Sequence, residues 1–316
     1  MKKALIYAAV FIVVAGGLFV GLRGCTFMPW NKETSGAGTA SVAITRDYGH
    51  VLMKTGQVKL KDGESAMEMV QQVAKVDTEY GGGFVSAIDG IASTTASGGK
   101  EDWFYYVNGV LSEVGSAQSA VKPGDMIWWD FHAWNGGDFV PAVVGAWPRP
   151  FTQGYSSKDR STLLFGAGME GLAHDVGVYL ADSGAKVSFS SKVRSLKNGG
   201  TGPVLAFLTL EEAAGTPWVA DLLKRPGKSG AFVSIEGGKL VTLDATGKPA
   251  PVDGVQAAVI STGTGMGDSS PVWLVLCDGE AGMAQARRLL INEPKGLSLK
   301  AAAAVDSNSR VYALPR

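Results

Sequence analysis

Nine residues, Met126 to Trp134 (Met-Ile-Trp-Trp-Asp-Phe-His-Ala-Trp), constrain this chain more than any other stretch. They follow the turn Lys122-Pro123-Gly124-Asp125 and read as one strand. Alternate strand residues share a face. Met126, Trp128, Asp130, His132 and Trp134 therefore line one side, and Ile127, Trp129, Phe131 and Ala133 the other. The second set is plain core. The first mixes tryptophan with an acid and an imidazole, which a core admits only when the polar groups are paired. Two readings stay open for that face. Trp128 and Trp134 pack beneath another part of the chain, with Asp130 and His132 bonded to neighbours, or the face is a ligand platform.

A second aromatic run, Asp102-Trp103-Phe104-Tyr105-Tyr106-Val107, ends in Asn108-Gly109, a tight hairpin turn. Before it come a strand over 41–47, another over 57–60 and a helix over 66–74, introduced by Ser65 and with Met67, Val70 and Ala74 at helical spacing. One helix on a mixed sheet is β-grasp-like, with one sheet face on the helix and the other left available. Composition shifts near Asn135–Asp138. Beyond it, strands over 162–165, 185–190, 204–208, 255–262 and 272–277 alternate with helices over 171–183, 211–223 (interrupted at Pro217) and 279–291; a hairpin turns at Gly237-Gly238. This order predicts an α/β layered domain. Ala301–Ala304 reads only as an alanine run. The expected class is α+β / α/β: a membrane segment over 1–30, a spacer over 31–40, a β-grasp-like domain over 41–135 and an α/β domain over 136–316.

Lys2 and Lys3 precede Ala4–Leu22, nineteen residues without a charge. That is long enough for a signal anchor and orients the remainder outward. Leu22-Arg23-Gly24-Cys25 partly matches a lipoprotein signal, which makes Cys25 the candidate lipidation residue; Arg23 departs from the pattern. Either way the globular part is expected to be extracytoplasmic at the cell membrane. Equal numbers of basic and acidic residues, 29 each, argue against a nucleic-acid partner. Cys277, in an apolar run, reads as a small buried residue. Three scattered histidines and no cysteine spacing predict no structural metal.

Four further stretches carry alternative chemistry. His50 is a second candidate imidazole. Gly166-Ala167-Gly168-Met169-Glu170-Gly171 has the glycine spacing of a pyrophosphate-seating turn, but the next strand ends Phe189-Ser190-Ser191-Lys192, without the acid that a dinucleotide site needs, so no nucleotide is expected. Ser261–Pro271, rich in glycine and hydroxyls, is either an anion-binding loop or a surface loop. Trp147-Pro148-Arg149-Pro150-Phe151 joins the halves as cleft lining or as packing. No nucleophile motif or triad is found, so an enzyme is not expected.

Tyr80-Gly81-Gly82-Gly83-Phe84-Val85, the Asp102–Gly109 run, Val114-Gly115 and Gly124 through Trp134 together resemble the bacterial branch of the transcobalamin-like C-terminal domain family, over residues 41–134. The resemblance implies a corrinoid (cobalamin) or similar bulky cofactor as ligand. Tyr106, Trp128, Asp130, His132 and Trp134 would contact it; the imidazole of His132 is either an axial cobalt ligand or, the preferred reading, a hydrogen-bonded histidine beside Asp130. The chain has no room for the separate helical domain that holds the corrinoid in animal carriers. The expected function is capture of such a ligand for uptake, with hand-over to a membrane importer. The alternative is a cell-surface structural or protein-interaction module with no small-molecule ligand.

Overall fold

The computed structural model describes residues 38–94, 100–134, 139–156, 159–225 and 229–316. The expected membrane segment, Cys25 and most of the 31–40 spacer lie outside them. Among the described residues no helix is long and apolar enough to cross a membrane.

The first layer is built as the residue pattern predicts. Strand β1 (Thr39–Arg46) pairs antiparallel with β2 (Val51–Lys59) and parallel with β8 (Met126–Trp134). Thr39 and Ala40, read as spacer, already belong to β1. Strand β6 (Lys100–Val107) pairs antiparallel with β8 and, through the Asn108-Gly109 turn, with β7 (Val110–Leu111), giving the sheet order β2-β1-β8-β6-β7. Both turn residues have positive φ, 52° and 88°, which an Asn-Gly pair adopts at little cost. Helix α1 (Ala66–Gln71) starts at a reciprocal cap: the Ser65 hydroxyl accepts from the Glu68 N–H, and the Glu68 carboxylate accepts from the Ser65 N–H. Its Ala66, Met69 and Val70 are buried with Ile44, Ile127 and Trp129, so one sheet face closes on the helix. A small sheet of β3 (Val76–Glu79), β4 (Phe84–Ile88) and β5 (Ile91–Ala92) completes this layer.

The second half is a seven-stranded sheet. Strands β9 (Ser161–Phe165), β10 (Val187–Ser190), β11 (Val204–Thr209) and β15 (Val272–Cys277) run parallel; β14 (Val255–Thr262), β16 (Ala302–Asp306) and β17 (Val311–Leu314) add antiparallel pairs. The order is β10-β9-β11-β15-β14-β16-β17. Strand β16, missed in the alanine run, forms because Ala303 and Ala304 pair with Val259 and Ala258 of β14, and β17 pairs with β16 in turn. A short helix α2 (Arg149–Thr152) links the halves. Helices α3 (Glu170–Asp182) and α6 (Gly279–Arg287) cover one face of this sheet with Trp147 and Phe151. Helices α4 (Leu210–Gly215) and α5 (Pro217–Leu222) and the hairpin β12 (Val233–Glu236)–β13 (Lys239–Thr242) cover the other.

That second core does not stop at the α/β half. It takes in Ala43, Tyr48, Tyr106, Met126 and Trp128 from the first sheet. The face expected to stand open is therefore covered, and both halves lie in one compact unit. The cause is the apolar stock of the second half. Phe232, Val143 and Ala146 belong to the same core as Tyr106 and Trp128, and burying both surfaces removes more apolar area from water than exposing either.

Candidate functional site

Strand pairing assembles the aromatic site. The β6–β8 register places Tyr106 opposite Trp128, Phe104 opposite Asp130 and Asp102 opposite His132. Tyr106 and Trp128 are 2 % and 1 % exposed, with ring centroids 5.6 Å apart. Asp130 and His132 are also buried, at 1 % and 4 %.

Their burial is possible because every polar atom of Asp130 is used. Its carboxylate accepts from the backbone N–H of Tyr48 (2.9 Å) and Gly49 (3.0 Å), from the Thr45 hydroxyl and from His132 Nδ1 (2.7 Å). Trp128 Nε1 donates to Thr45 Oγ1 at 2.6 Å, which ties the indole into the same network. The backbone donors are presented by a left-handed turn: Asp47, Tyr48 and Gly49 have φ of 54°, 57° and 90°. The His132 ring is sandwiched between Tyr48 and Phe104, with centroids at 4.3 and 4.4 Å. Tyr48 OH donates to the Ala133 carbonyl at 2.8 Å, and burial, with Asp130 adding to it, pushes this phenol well above its usual range. Asp130 and His132 thus satisfy each other and the chain, as a buried polar cluster must.

The remaining candidates fall elsewhere. Trp134 lies at the rim, half-buried, stacked on Phe139 (5.6 Å) and beneath the Lys100 ammonium (5.2 Å). His50 is apart from His132; its Nε2 meets the Pro315 carbonyl at 2.7 Å. With Nδ1 of His132 on Asp130 and both ring faces covered, only Nε2 is left for a metal. Among the described residues no group of three His, Cys, Asp or Glu could hold an ion. Tyr48, Thr45 and Phe104 complete the site and were not singled out from sequence. The signal for Tyr48 was its place in Asp47-Tyr48-Gly49, a turn-forming run.

Two glycine-rich stretches are occupied by the chain itself. At the end of β9, Ala167 N–H donates to the Glu212 carboxylate at 2.6 Å, and a Cβ on Gly166 would fall 1.8 Å from that carboxylate. Glu212 also caps α4, accepting from the Thr209 N–H at 3.2 Å. A phosphate would have to displace it. In the 261–271 loop, Asp268 accepts from the N–H groups of Thr264 (2.7 Å) and Ser270 (2.8 Å). Trp147 is packing, with Trp273 and Tyr179 rings 5.5 and 6.0 Å away and its Nε1 donating to the Leu290 carbonyl. Arg149, two residues on, borders a cavity of about 380 Å³ with Ser41, Gln57, Met126 and Leu299.

A family described as a domain of unknown function (DUF4430) matches residues 63–133, from the turn before α1 to the end of β8. No curated protein matches the chain. Among solved structures, "a putative metal binding protein" from Ruminococcus gnavus is similar to 31 % of this chain over 99 % of its own length, at 11 % identity and a TM-score of 0.24.

Proposed function

We propose that this chain is a non-enzymatic interaction module of the extracytoplasmic face, tethered through its N-terminal segment. In it the aromatic strand is a brace between two layers rather than a ligand platform. The observation that carries this reading is the burial of Trp128 and His132 in a core continuous with the α/β half. The surface left for a partner protein is the edge strand β2, whose Val51 and Leu52 are 49 % and 57 % exposed. An edge with unpaired backbone groups is a ready template for strand addition.

The resemblance to the transcobalamin-like family supports a second reading, capture of a corrinoid for an importer. It requires the two layers to part, because Tyr106, Trp128, Asp130 and His132 face each other's neighbours rather than solvent. The purified full-length chain, titrated with aquo- and cyanocobalamin while tryptophan emission and the corrinoid bands are followed, separates the two. The brace reading expects no saturable quenching. Saturable quenching lost in Trp128→Ala, with a band shift lost in His132→Ala, would replace it by the corrinoid reading.

A further inference from the structure

Three of the places among the described residues that gather hydrogen-bond donors, as an anion site does, are two glycine-rich turns and one cavity. Two are self-neutralised: Glu212 takes the 166–168 turn, and Asp268 takes the 261–271 loop. The third is the cavity at Arg149, whose described lining contains neither Asp nor Glu.

Arg149 is half-buried there, and burial pushes its guanidinium below the usual value although Asp125 acts in the opposite direction. Asp125 itself is engaged elsewhere, accepting from Asn108 Nδ2 and the Lys122 N–H, both at 2.8 Å. Among the described residues no carboxylate lies within ion-pairing distance of Arg149. Its Nε donates to the Gly124 carbonyl (3.1 Å), its Nη2 to Ser41 Oγ (3.2 Å), and its Nη1 reaches only the Met126 thioether (3.9 Å). Of the five guanidinium N–H groups, these three contacts leave two for a ligand. Ser41 Oγ also accepts from Gln57 Nε2 at 2.8 Å, so its own hydrogen remains to donate. Met126, Trp147 and Leu299 give the cavity an apolar wall, and Thr55 and Ser298 add neutral hydroxyls.

We infer that this cavity binds a small organic acid, its carboxylate on Arg149 and the Ser41 hydroxyl and its apolar body against Met126, Trp147 and Leu299. The volume, about 380 Å³, lies in the range of ordinary small-molecule sites. A fixed guanidinium fork suits a carboxylate, and a charge-assisted pair is roughly twice as strong as a neutral one. The site shares β1 and β8 with the aromatic brace but uses none of Trp128, Asp130 and His132, and from β2 it takes Thr55 to Gln57 rather than Val51 and Leu52.

The test is calorimetric titration of the full-length chain with 4-phenylbutyrate, its neutral amide 4-phenylbutyramide, and inorganic phosphate. The acid is expected to bind saturably, and the amide and phosphate about ten-fold or more weaker, because each lacks one half of the recognition. Arg149→Gln is expected to remove the preference for acid over amide, and Ser41→Ala to weaken the acid alone by a few-fold. Absence of saturable binding by the acid would overturn the assignment. So would equal affinity for acid and amide in the unaltered chain, a result that needs no variant to fold. Phosphate binding as tightly as the acid would show a site that reads charge alone, and would overturn it too.

Discussion

At the scale of single residues, the cluster around Asp130 behaves as structure. Trp128 is a buried ring with a buried partner, so Trp128→Ala leaves a cavity and removes the hydrogen bond that the Thr45 hydroxyl accepts. A loss of about 3–5 kcal/mol is expected in urea unfolding, in the range of large-to-small core changes. A ligand-platform tryptophan would show almost no such loss. Asp125 supplies a test in pH. Burial raises its carboxyl above the ordinary 3.8, against the lowering by Asn108 and the Lys122 N–H. The folded chain therefore holds this proton more tightly than the unfolded one. That contribution favours folding at low pH and is lost as pH rises through the raised value. The stability of the unaltered chain relative to Asp125→Asn should accordingly fall as pH rises above the ordinary carboxylate value; a relative stability that grows there would contradict the raised value. Cys277 is pushed up to about 12 by burial alone. In a Cys25→Ser background it should resist a thiol–disulfide exchange reagent at mild alkaline pH until the chain is unfolded.

At the scale of elements, turns and caps carry the local energetics. The 47–49 turn brings two backbone donors to Asp130, and Gly49 does so at φ 90° with the space for its absent Cβ taken by the Leu299 carbonyl, 1.9 Å away. Gly49→Ala is expected to cost roughly 2 kcal/mol or more, read from the denaturation midpoint, since strain and overlap act together. Glu212→Ala removes a cap and uncovers the Ala167 N–H, for an expected loss of about 1 kcal/mol. Much of this scale was legible in the residues. Strand β8, the Asn108-Gly109 turn, and β14 and β15 follow from alternation, apolar runs and turn chemistry. The N-terminal half of β2 did not stand out because Val51, Leu52, Lys54 and Thr55 carry no clear inside and outside, and all but Lys54 are exposed. Strand β16 was hidden because alanine has little strand preference of its own; its pairing with β14 decides, and β17 then pairs with β16.

At the scale of the whole molecule, alternation told which side chains share a face but not what would cover it. The contacts of Trp128 come from Thr45 and Tyr106, and those of Tyr48 from Phe232, at separations that no local pattern encodes. The Arg149 cavity was half visible: the aromatic–arginine junction stood out, while Ser41 and Gln57 arrive from the first hairpin, about a hundred residues earlier. A core shared by both halves predicts one cooperative transition in calorimetry, with far-UV and near-UV signals lost together. A fragment ending near residue 135 should stay molten and bind a hydrophobic dye, because its Trp128 face would meet water.

The shared core also sets a timetable for the newly made chain. Strand β1 must wait for β8, more than eighty residues later, before its parallel partner exists. Even then the aromatic face is not fully covered until Val143, Ala146, Phe232 and the alanine-rich β16 have been made, and His50 finds its acceptor only at Pro315. During synthesis this protein therefore exposes its stickiest surface, newly made and still uncovered. Such a chain depends on a holding chaperone, or on making its second half quickly, far more than two independently folding domains would.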